Sequence, residues 1–343
     1  MTTAVFRTRL NQARTLSSIA LVAALCTSLL SSVLAQEADY AVPRTVDGSP
    51  DLQGMWTNNT ITPLSRPEEF GDKLVLSMEE AIQLERAVAD LTQEQDQPSD
   101  PDRAAPVKGR IELADSYNSF WFDDGTDVAQ FNGEYRSSLI VDPANGRIPA
   151  YTPAAEERLQ LARAERETRG AFAGPETRPL GERCLMPFDS SGGPPMIPIL
   201  YNNHYQIVQS PGYVMILVEM VHDVRIIRID DERLPESFQH WLGDSVGHWE
   251  DDVLVVQTQR INPKQRFRNS SEDVEVVERF QRVSSDRINY SFTVNDPNTF
   301  SQAWSGEIPM NATSDRLYEY ACHEGNYSLP GILAGARLDE REQ

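Results

Sequence analysis

The five histidines of this chain all fall between positions 204 and 323, and most adjoin a carboxylate, an amide or an aromatic ring. Three of these groups carry residue types suited to acid–base chemistry. Tyr318-Glu319-Tyr320-Ala321-Cys322-His323-Glu324 sets an imidazole beside a carboxylate and within reach of a phenol. Such a pair can act as a base with its orienting partner, and the phenol can polarise or position a substrate. Glu219-Met220-Val221-His222-Asp223 repeats the pairing at the end of an apolar run. A carboxylate inside such a run is either on a solvated face or buried with a partner, because an unpaired buried charge is too costly. Asn202-Asn203-His204 offers amides and an imidazole for hydroxyl or carboxylate recognition, with Trp304 as an aromatic wall. On this reading His222 or His323 is the base and Asp223 or Glu324 its partner. Tyr320 and Asn202 position the substrate, and Asn203, His204 and Trp304 complete the binding surface. Each group also has a plainer reading: a structural corner at His323, a satisfied carboxylate at Glu219, and ordinary turn residues at Asn202 and Asn203.

Several chemistries lack their usual signals. There is no His-x-His, His-Glu-x-x-His or Cys-x-x-Cys spacing, so a metal site would have to be assembled from distant segments. The expectation is no cofactor, with a copper or zinc ion held by distant histidines as the alternative. There is no Gly-x-Ser-x-Gly elbow and no glycine-rich phosphate loop. With 31 basic against 52 acidic residues and a net charge of −21, the chain would repel nucleic acid. A small-molecule partner is expected, and the oligomeric state is not legible.

Residues 1–35 read as an export signal. Arg7, Arg9 and Arg14 precede an apolar stretch from Ile19 to Leu30, and Val33 and Ala35 supply the small residues for cleavage before Gln36. The apolar stretch is shorter than the roughly 20 residues a membrane span needs. A lipoprotein anchor on Cys26 is the other reading, but Leu25 precedes it where a small residue belongs. Without the leader two cysteines remain, Cys184 and Cys322. In an oxidising compartment, periplasmic or secreted, they are expected to form a disulfide. The chain-entropy model credits such a loop with about 4–5 kcal/mol, less any native strain. The alternative is a metal or nucleophile role for Cys322.

The elements that would position these groups change character along the chain. Residues 36–343 are expected to form one β-rich domain, with a helix and loop excursion at about 60–198 and the main antiparallel sheet at about 199–337. Ser77 to Leu91 has a capping box and helical spacing, and Thr152-Pro153 opens a second helix through about Arg169. Gln93 to Pro106 is polar and proline-rich, residues 111–141 hold strand-like pieces, and Gly170 to Pro198 is irregular. From Tyr205 the period becomes two. Strands are expected at Tyr205–Gln209, Tyr213–Met220, Val224–Ile229, Trp249–Gln257, Val274–Val283, Ile288–Val294, Trp304–Pro309 and Leu317–Ala321. This pattern indicates an antiparallel barrel or sandwich. Gly54-Met55-Trp56 resembles the opening of lipocalin-type barrels, which allows a calycin-like architecture with this segment as first strand.

Longer blocks resemble a group of exported bacterial proteins of uncharacterised function. They include Pro50 to Trp56, Arg183-Cys184-Leu185, Gly193-Pro194-Pro195-Met196, Asn202 to Gln209, His240 to Ser245 and Tyr318 to Arg337. The resemblance implies a single unit and export, and no mechanism. One departure is Asp251, where the group's turn has glycine; aspartate tolerates a left-handed position. Two functional classes follow. The first is an exported lyase, isomerase or hydrolase using the His/carboxylate pairs. The second is a periplasmic binding or carrier protein, its interior lined by residues such as Tyr213, Met215, Phe280, Tyr290, Phe292 and Trp304. Convergence of His204, His222 and His323 on one pocket would favour the enzyme.

Overall fold

The computed structural model describes residues 40–95, 122–123, 125–187, 192–265 and 267–342. Residues 1–35, read from the sequence as an export signal, lie outside the described residues, as do most of the polar segment after Gln93 and residues 111–121. The fold described below belongs to the unit Arg44–Gln343.

That unit is mainly β and is built on a closed nine-strand barrel. In chain order the strands are β1 (Gly54–Thr57), β2 (Val75–Leu76), β3 (Gln130–Phe131), β4 (Glu134–Arg136), β5 (Ile140–Asp142), β6 (His204–Ser210), β7 (Tyr213–Val218), β8 (Val224–Ile229), β9 (Asp244–Glu250), β10 (Val253–Gln259), β11 (Glu275–Arg282), β12 (Arg287–Asn295) and β13 (Trp304–Ala312). The ring runs β1-β6-β7-β8-β9-β10-β11-β12-β13 and closes where Trp56 and Thr57 pair with Ala312 and Asn311. Strand β5 adds to the outside of the ring at β13. Strict alternation of direction requires an even number of strands, so a nine-strand ring needs a like-directed pair. It falls at β8 and β9, which are parallel, and the chain from Asp230 to Gly243 makes the necessary return.

The helices are α1 (Met78–Gln95), α2 (Pro153–Arg169) and α3 (Ser328–Glu342). The capping box at α1 is formed: the Ser77 hydroxyl accepts from the Glu80 amide at 3.2 Å, and Glu80 accepts from the Ser77 amide at 2.7 Å. Thr152 caps α2 through the Ala155 amide, with Pro153 in the first turn. Strands β2, β3 and β4 form a separate small sheet, and Ala81 of α1 is buried with Leu76 and Val128.

Side chains fill the barrel. Alternation turns Tyr205 and Ile207, Val214 and Ile216, Arg225 and Ile227, Glu278 and Phe280, and Tyr290 and Phe292 inward, and all are buried. The segment Gly193-Pro194-Pro195-Met196-Ile197 packs into the same core. Within this apolar interior, Arg225 and Glu278 make a two-pronged ion pair at 2.9 and 2.5 Å, each about 1% exposed or less. The Tyr290 hydroxyl donates to Glu278 at 2.8 Å and accepts the Met196 amide at 2.9 Å. Asn58 donates to the Met196 carbonyl at 3.1 Å and to the Tyr205 hydroxyl at 3.2 Å. Gly193 (φ 70°) allows the close approach: a Cβ there would lie 2.7 Å from Met196 Cγ and 3.1 Å from Arg225 Nη1.

Several expectations are corrected. Trp304 is fully buried against Phe267, Phe292 and Phe300, with ring centroids 5.6–6.0 Å apart, so it is core and not a binding wall. Tyr213 is 49% exposed, because Val214 and Ile216 take the inward face of β7; Met215 shares the outer face. Where alternation suggests one strand over Trp249–Gln257, the chain forms the β9–β10 hairpin, turning at Asp251 with φ 51°. The left-handed tolerance of aspartate is thus used there. Leu317–Ala321 is not a strand, so the alternation that places Tyr318, Tyr320 and Cys322 on one face does not apply. The main sheet ends at Ala312, and an unpatterned stretch leads to α3.

The buried ion pair generates a test. Glu278→Leu leaves Arg225 charged and uncompensated and should lower unfolding free energy by about 3–5 kcal/mol in urea titrations. The double variant R225M/E278L should recover most of that loss. A change below about 1 kcal/mol for E278L alone would show that the pair is not desolvated as described.

Candidate functional site

His204 opens β6, and the backbone reaches it through Asn202, which takes a left-handed conformation (φ 58°). Asn203 is fully buried and its amide is consumed locally: Oδ1 accepts the Ile199 amide at 2.9 Å, and Nδ2 donates to the Ile199 and Asp123 carbonyls at 2.6 and 2.9 Å. Asn203 therefore fixes the entry to β6 and is not available to a substrate, contrary to the sequence expectation.

Three carboxylates from distant segments surround the His204 imidazole. Its Nδ1 lies 3.1 Å from Glu219 Oε2 and 3.6 Å from Asp123 Oδ2, and its Nε2 lies 3.8 Å from Asp315 Oδ2. Glu219 is only 4% exposed, and its other oxygen accepts the Tyr318 amide at 3.2 Å. Asp123 is held by the Asn59 side chain at 2.5 Å and the Asn203 amide at 3.3 Å. The hydrogen bond to Glu219 is the main reason the imidazole is more basic than usual, and the charges of Glu219, Asp123 and Asp315 add to it against the opposing effect of burial. Burial works to raise the Glu219 carboxyl, but hydrogen bonds from His204, the Tyr318 amide and Asn202 outweigh it and leave the group more acidic than usual. The contact thus favours the imidazolium and the carboxylate together.

The turn after Glu219 carries the third shifted group. Strand β7 ends at Val218, and Glu219 enters a short helical turn, so Glu219 and Asp223 do not share a strand face as alternation suggests. Val221 (φ 59°) and His222 (φ 46°) are both left-handed, which costs of order 1–3 kcal/mol at each position. His222 is thereby turned out to solvent. The Asp223 carbonyl accepts the Val218 amide at 2.8 Å, tying the turn to the strand end. Extended at Asp223, the chain enters β8, and Asp223 shares the inward face with Arg225. One carboxyl oxygen is buried with no hydrogen-bond partner among the described residues, and burial pushes the carboxyl up to about 7.

The second predicted pair lies elsewhere in character. His323 and Glu324 are exposed in a turn, while Tyr320 packs half-buried against the barrel core. Cys184 and Cys322 form the expected disulfide, with Cα atoms 5.7 Å apart. Asn326 reinforces it, donating to the Glu182 carbonyl at 2.7 Å. This staple holds the segment that brings Asp315 and the Tyr318 amide to His204 and Glu219. Among the described residues, neither a hydrogen bond nor an ion pair joins His222 or His323 to His204 or to each other. The three histidines do not converge on one set of contacts. Asp123 and Asp315 were not signalled by the sequence, since neither adjoins an imidazole or interrupts an apolar run. Glu219 was signalled, and its partner proves to be His204.

Among the described residues no group of three or more His, Cys, Asp or Glu side chains is arranged to hold a metal ion, and no helix is long and apolar enough to cross a membrane. Comparison of the chain with protein-family models, with curated proteins and with solved structures finds no match.

Two outcomes test this geometry. Because the folded pKa of Asp223 lies above its ordinary 3.8, its contribution to stability is fully present below pH 3.8 and is lost as pH rises toward 7. Asp223→Asn should therefore leave stability unchanged near pH 3.5 and raise it at pH 8 by on the order of 1–2 kcal/mol, read from thermal or urea unfolding. Equal effects at both pH values would refute the buried carboxyl. Secondly, NMR titration of His204 should show a pKa above 6.5, and C184S/C322S should shift it downward as Asp315 and the Tyr318 amide lose their tether. An unchanged titration would mean that the staple does not set the site.

Proposed function

We propose that the protein is an exported enzyme that moves protons on a small organic substrate, as a hydrolase, lyase or isomerase. Its acid–base centre on this reading is the corner formed by His204, Glu219 and Asp223. The observation that carries the proposal is the pairing of opposite perturbations in one turn. Asp223 is raised to about 7, where it can give or take a proton at neutral pH, while the contact between Glu219 and His204 makes the carboxyl more acidic and the imidazole more basic than usual. Perturbed groups gather at active sites, and left-handed backbone at Asn202, Val221 and His222 is the kind of strain that such sites hold.

In this mechanism Asp223 is the proton-transfer group, and the His204 imidazolium stabilises negative charge that develops on the substrate. Glu219 holds the imidazole in orientation and is itself hydrogen-bonded by the Asn202 side chain. The surplus of carboxylates favours a neutral or cationic substrate over an anion. On this reading His323 and Glu324, exposed in their turn, stand outside the acid–base centre.

Export rests on the leader sequence, with cleavage near Ala35 and a periplasmic or secreted destination, and the disulfide supports an oxidising compartment. The calycin-like reading rests on Gly54-Met55-Trp56, whose tryptophan is buried at the first barrel strand with the Arg282 guanidinium 5.4 Å from its ring centre. The carrier reading is weakened by the barrel interior, which Tyr205, Tyr290, Phe280, Phe292 and Met196 fill.

The test is turnover of a panel of esters, lactones, glycosides and carbonyl compounds, with proton exchange followed by NMR in deuterated water. D223N and H204Q should each lose at least about 100-fold in kcat while remaining folded, whereas H323A should stay within a few-fold of the parent protein. Full activity in D223N, or no turnover of any compound by the parent protein, would overturn the proposal.

A further inference from the structure

The end of the barrel opposite the His204 corner carries a concavity. Strands β6 and β7 meet there at the Ser210-Pro211-Gly212 turn, and the Ile229 amide closes the end of β8 onto the Gly212 carbonyl at 2.9 Å. A cleft of about 240 Å³ opens at this rim. Val214, Ile229 and Trp249, from the ends of three different strands, form its apolar part. Tyr213, half exposed, stands at its edge. The charged residues lining it are Asp47 and Asp230, and no lysine or arginine lines it.

We infer that this cleft is a binding site for a small organic cation, a primary or quaternary ammonium group, held between the Trp249 and Tyr213 rings and the Asp47 and Asp230 carboxylates. The chemistry follows from the lining. The face of an indole or phenol ring attracts a cation, most strongly where water is excluded, and a nearby carboxylate supplies the net charge that a ring lacks. Asp47 is prepared for this role: the Thr45 hydroxyl donates to it, Ser49 adds a second hydroxyl at 3.5 Å, and the group is more acidic than usual chiefly through Thr45. Its turn is anchored over the barrel end, where Gln209 donates to the Pro50 carbonyl at 3.0 Å and accepts the Leu52 amide at 2.6 Å. Asp230 is set at the rim by a left-handed backbone (φ 52°) and by its amide, which donates to the Gly247 carbonyl at 2.8 Å. A lining that combines Val214 and Ile229, two aromatic side chains and two carboxylates suits an alkylammonium head, whose methyl or methylene groups take apolar and aromatic contact and whose charge needs compensation. The chain's net charge of −21 would concentrate such cations near the protein at low salt. An anionic ligand finds nothing to pair with in this lining, and a neutral polyol would leave the carboxylates without their counter-charge.

The site is separate from the His204 corner and its test does not depend on catalysis. The indole signal of Trp249, assigned by its loss in W249F, is followed by NMR while tetramethylammonium or butylammonium chloride is added. Sodium chloride and the neutral isostere tert-butyl alcohol serve as matched titrants. The expected result is a saturable shift with the organic cations, at least about tenfold tighter than with the alcohol, which corresponds to about 1.4 kcal/mol. D47N and D230N should each weaken the cation at least threefold while other indole signals stay in place, and D223N should bind as the parent protein does. Equal binding of the alcohol, or saturation by a methyl glycoside but not by the cations, would overturn the assignment in favour of an apolar or polyol cleft. Absence of a saturable Trp249 shift with either organic cation, or a shift reproduced by sodium chloride alone, would overturn it outright.

Discussion

The ion pair between Arg225 and Glu278 is the constraint on which the rest of the barrel depends. Both groups lie inside a closed sheet from which water is excluded, so each needs the other and each needs further hydrogen bonds. Glu278 obtains one from Tyr290, Tyr290 obtains one from the Met196 amide, and Asn58 connects Met196 to Tyr205. The chain from Gly193 to Ile197 is thereby seated in the barrel by polar contacts of fixed direction and not by apolar packing alone. Its continuation through Ile199 is clamped by Asn203, the residue before His204. The position of the imidazole is therefore set from within the barrel, through a run of bonds that begins at a charge pair.

Around that imidazole, electrostatics act with opposite signs over a few residues. His204 gains a proton-holding environment from three carboxylates, and Glu219 is kept ionised by the same contact. Asp223, four residues further along, is buried without an opposing charge and is driven the other way. The difference lies in backbone geometry. The left-handed pair Val221 and His222 turns one carboxylate toward a cation and leaves the other under the barrel rim.

Much of the fold was legible in the sequence, for identifiable reasons. Strands β6, β8, β11 and β12 appear with nearly their expected ends because their apolar alternation is clean and their turns contain Gly212 or the Ser284-Ser285-Asp286 run. The caps of α1 and α2 are local interactions and are legible in the sequence for that reason. Strand β9 was missed because small and polar residues such as Ser245 and Gly247 face the core, where they give no hydrophobic signal. Helix α3 was missed because its two internal glycines mask its periodicity. At the candidate site, neighbours along the chain do not give the contacts of His204, and His323-Glu324 lies exposed in a turn. The true partners of His204 lie 15, 81 and 111 positions away, at Glu219, Asp123 and Asp315, and adjacency along the chain carries no information about them.

The disulfide also divides the chain mechanically. Cys184 precedes β6 and Cys322 follows β13, so every barrel strand except β1 lies within the covalent loop. Tension applied at the two ends of the polypeptide would pass across the sulfur bridge and bypass those strands. It could peel away β1 and the segment before Cys184, but it could not extend the enclosed 138-residue separation, roughly 450 Å of contour length. Under pulling, as during threading through a translocation pore or capture by a processive protease, the oxidised molecule would stall as a compact knob, and the reduced one would run through as a thread.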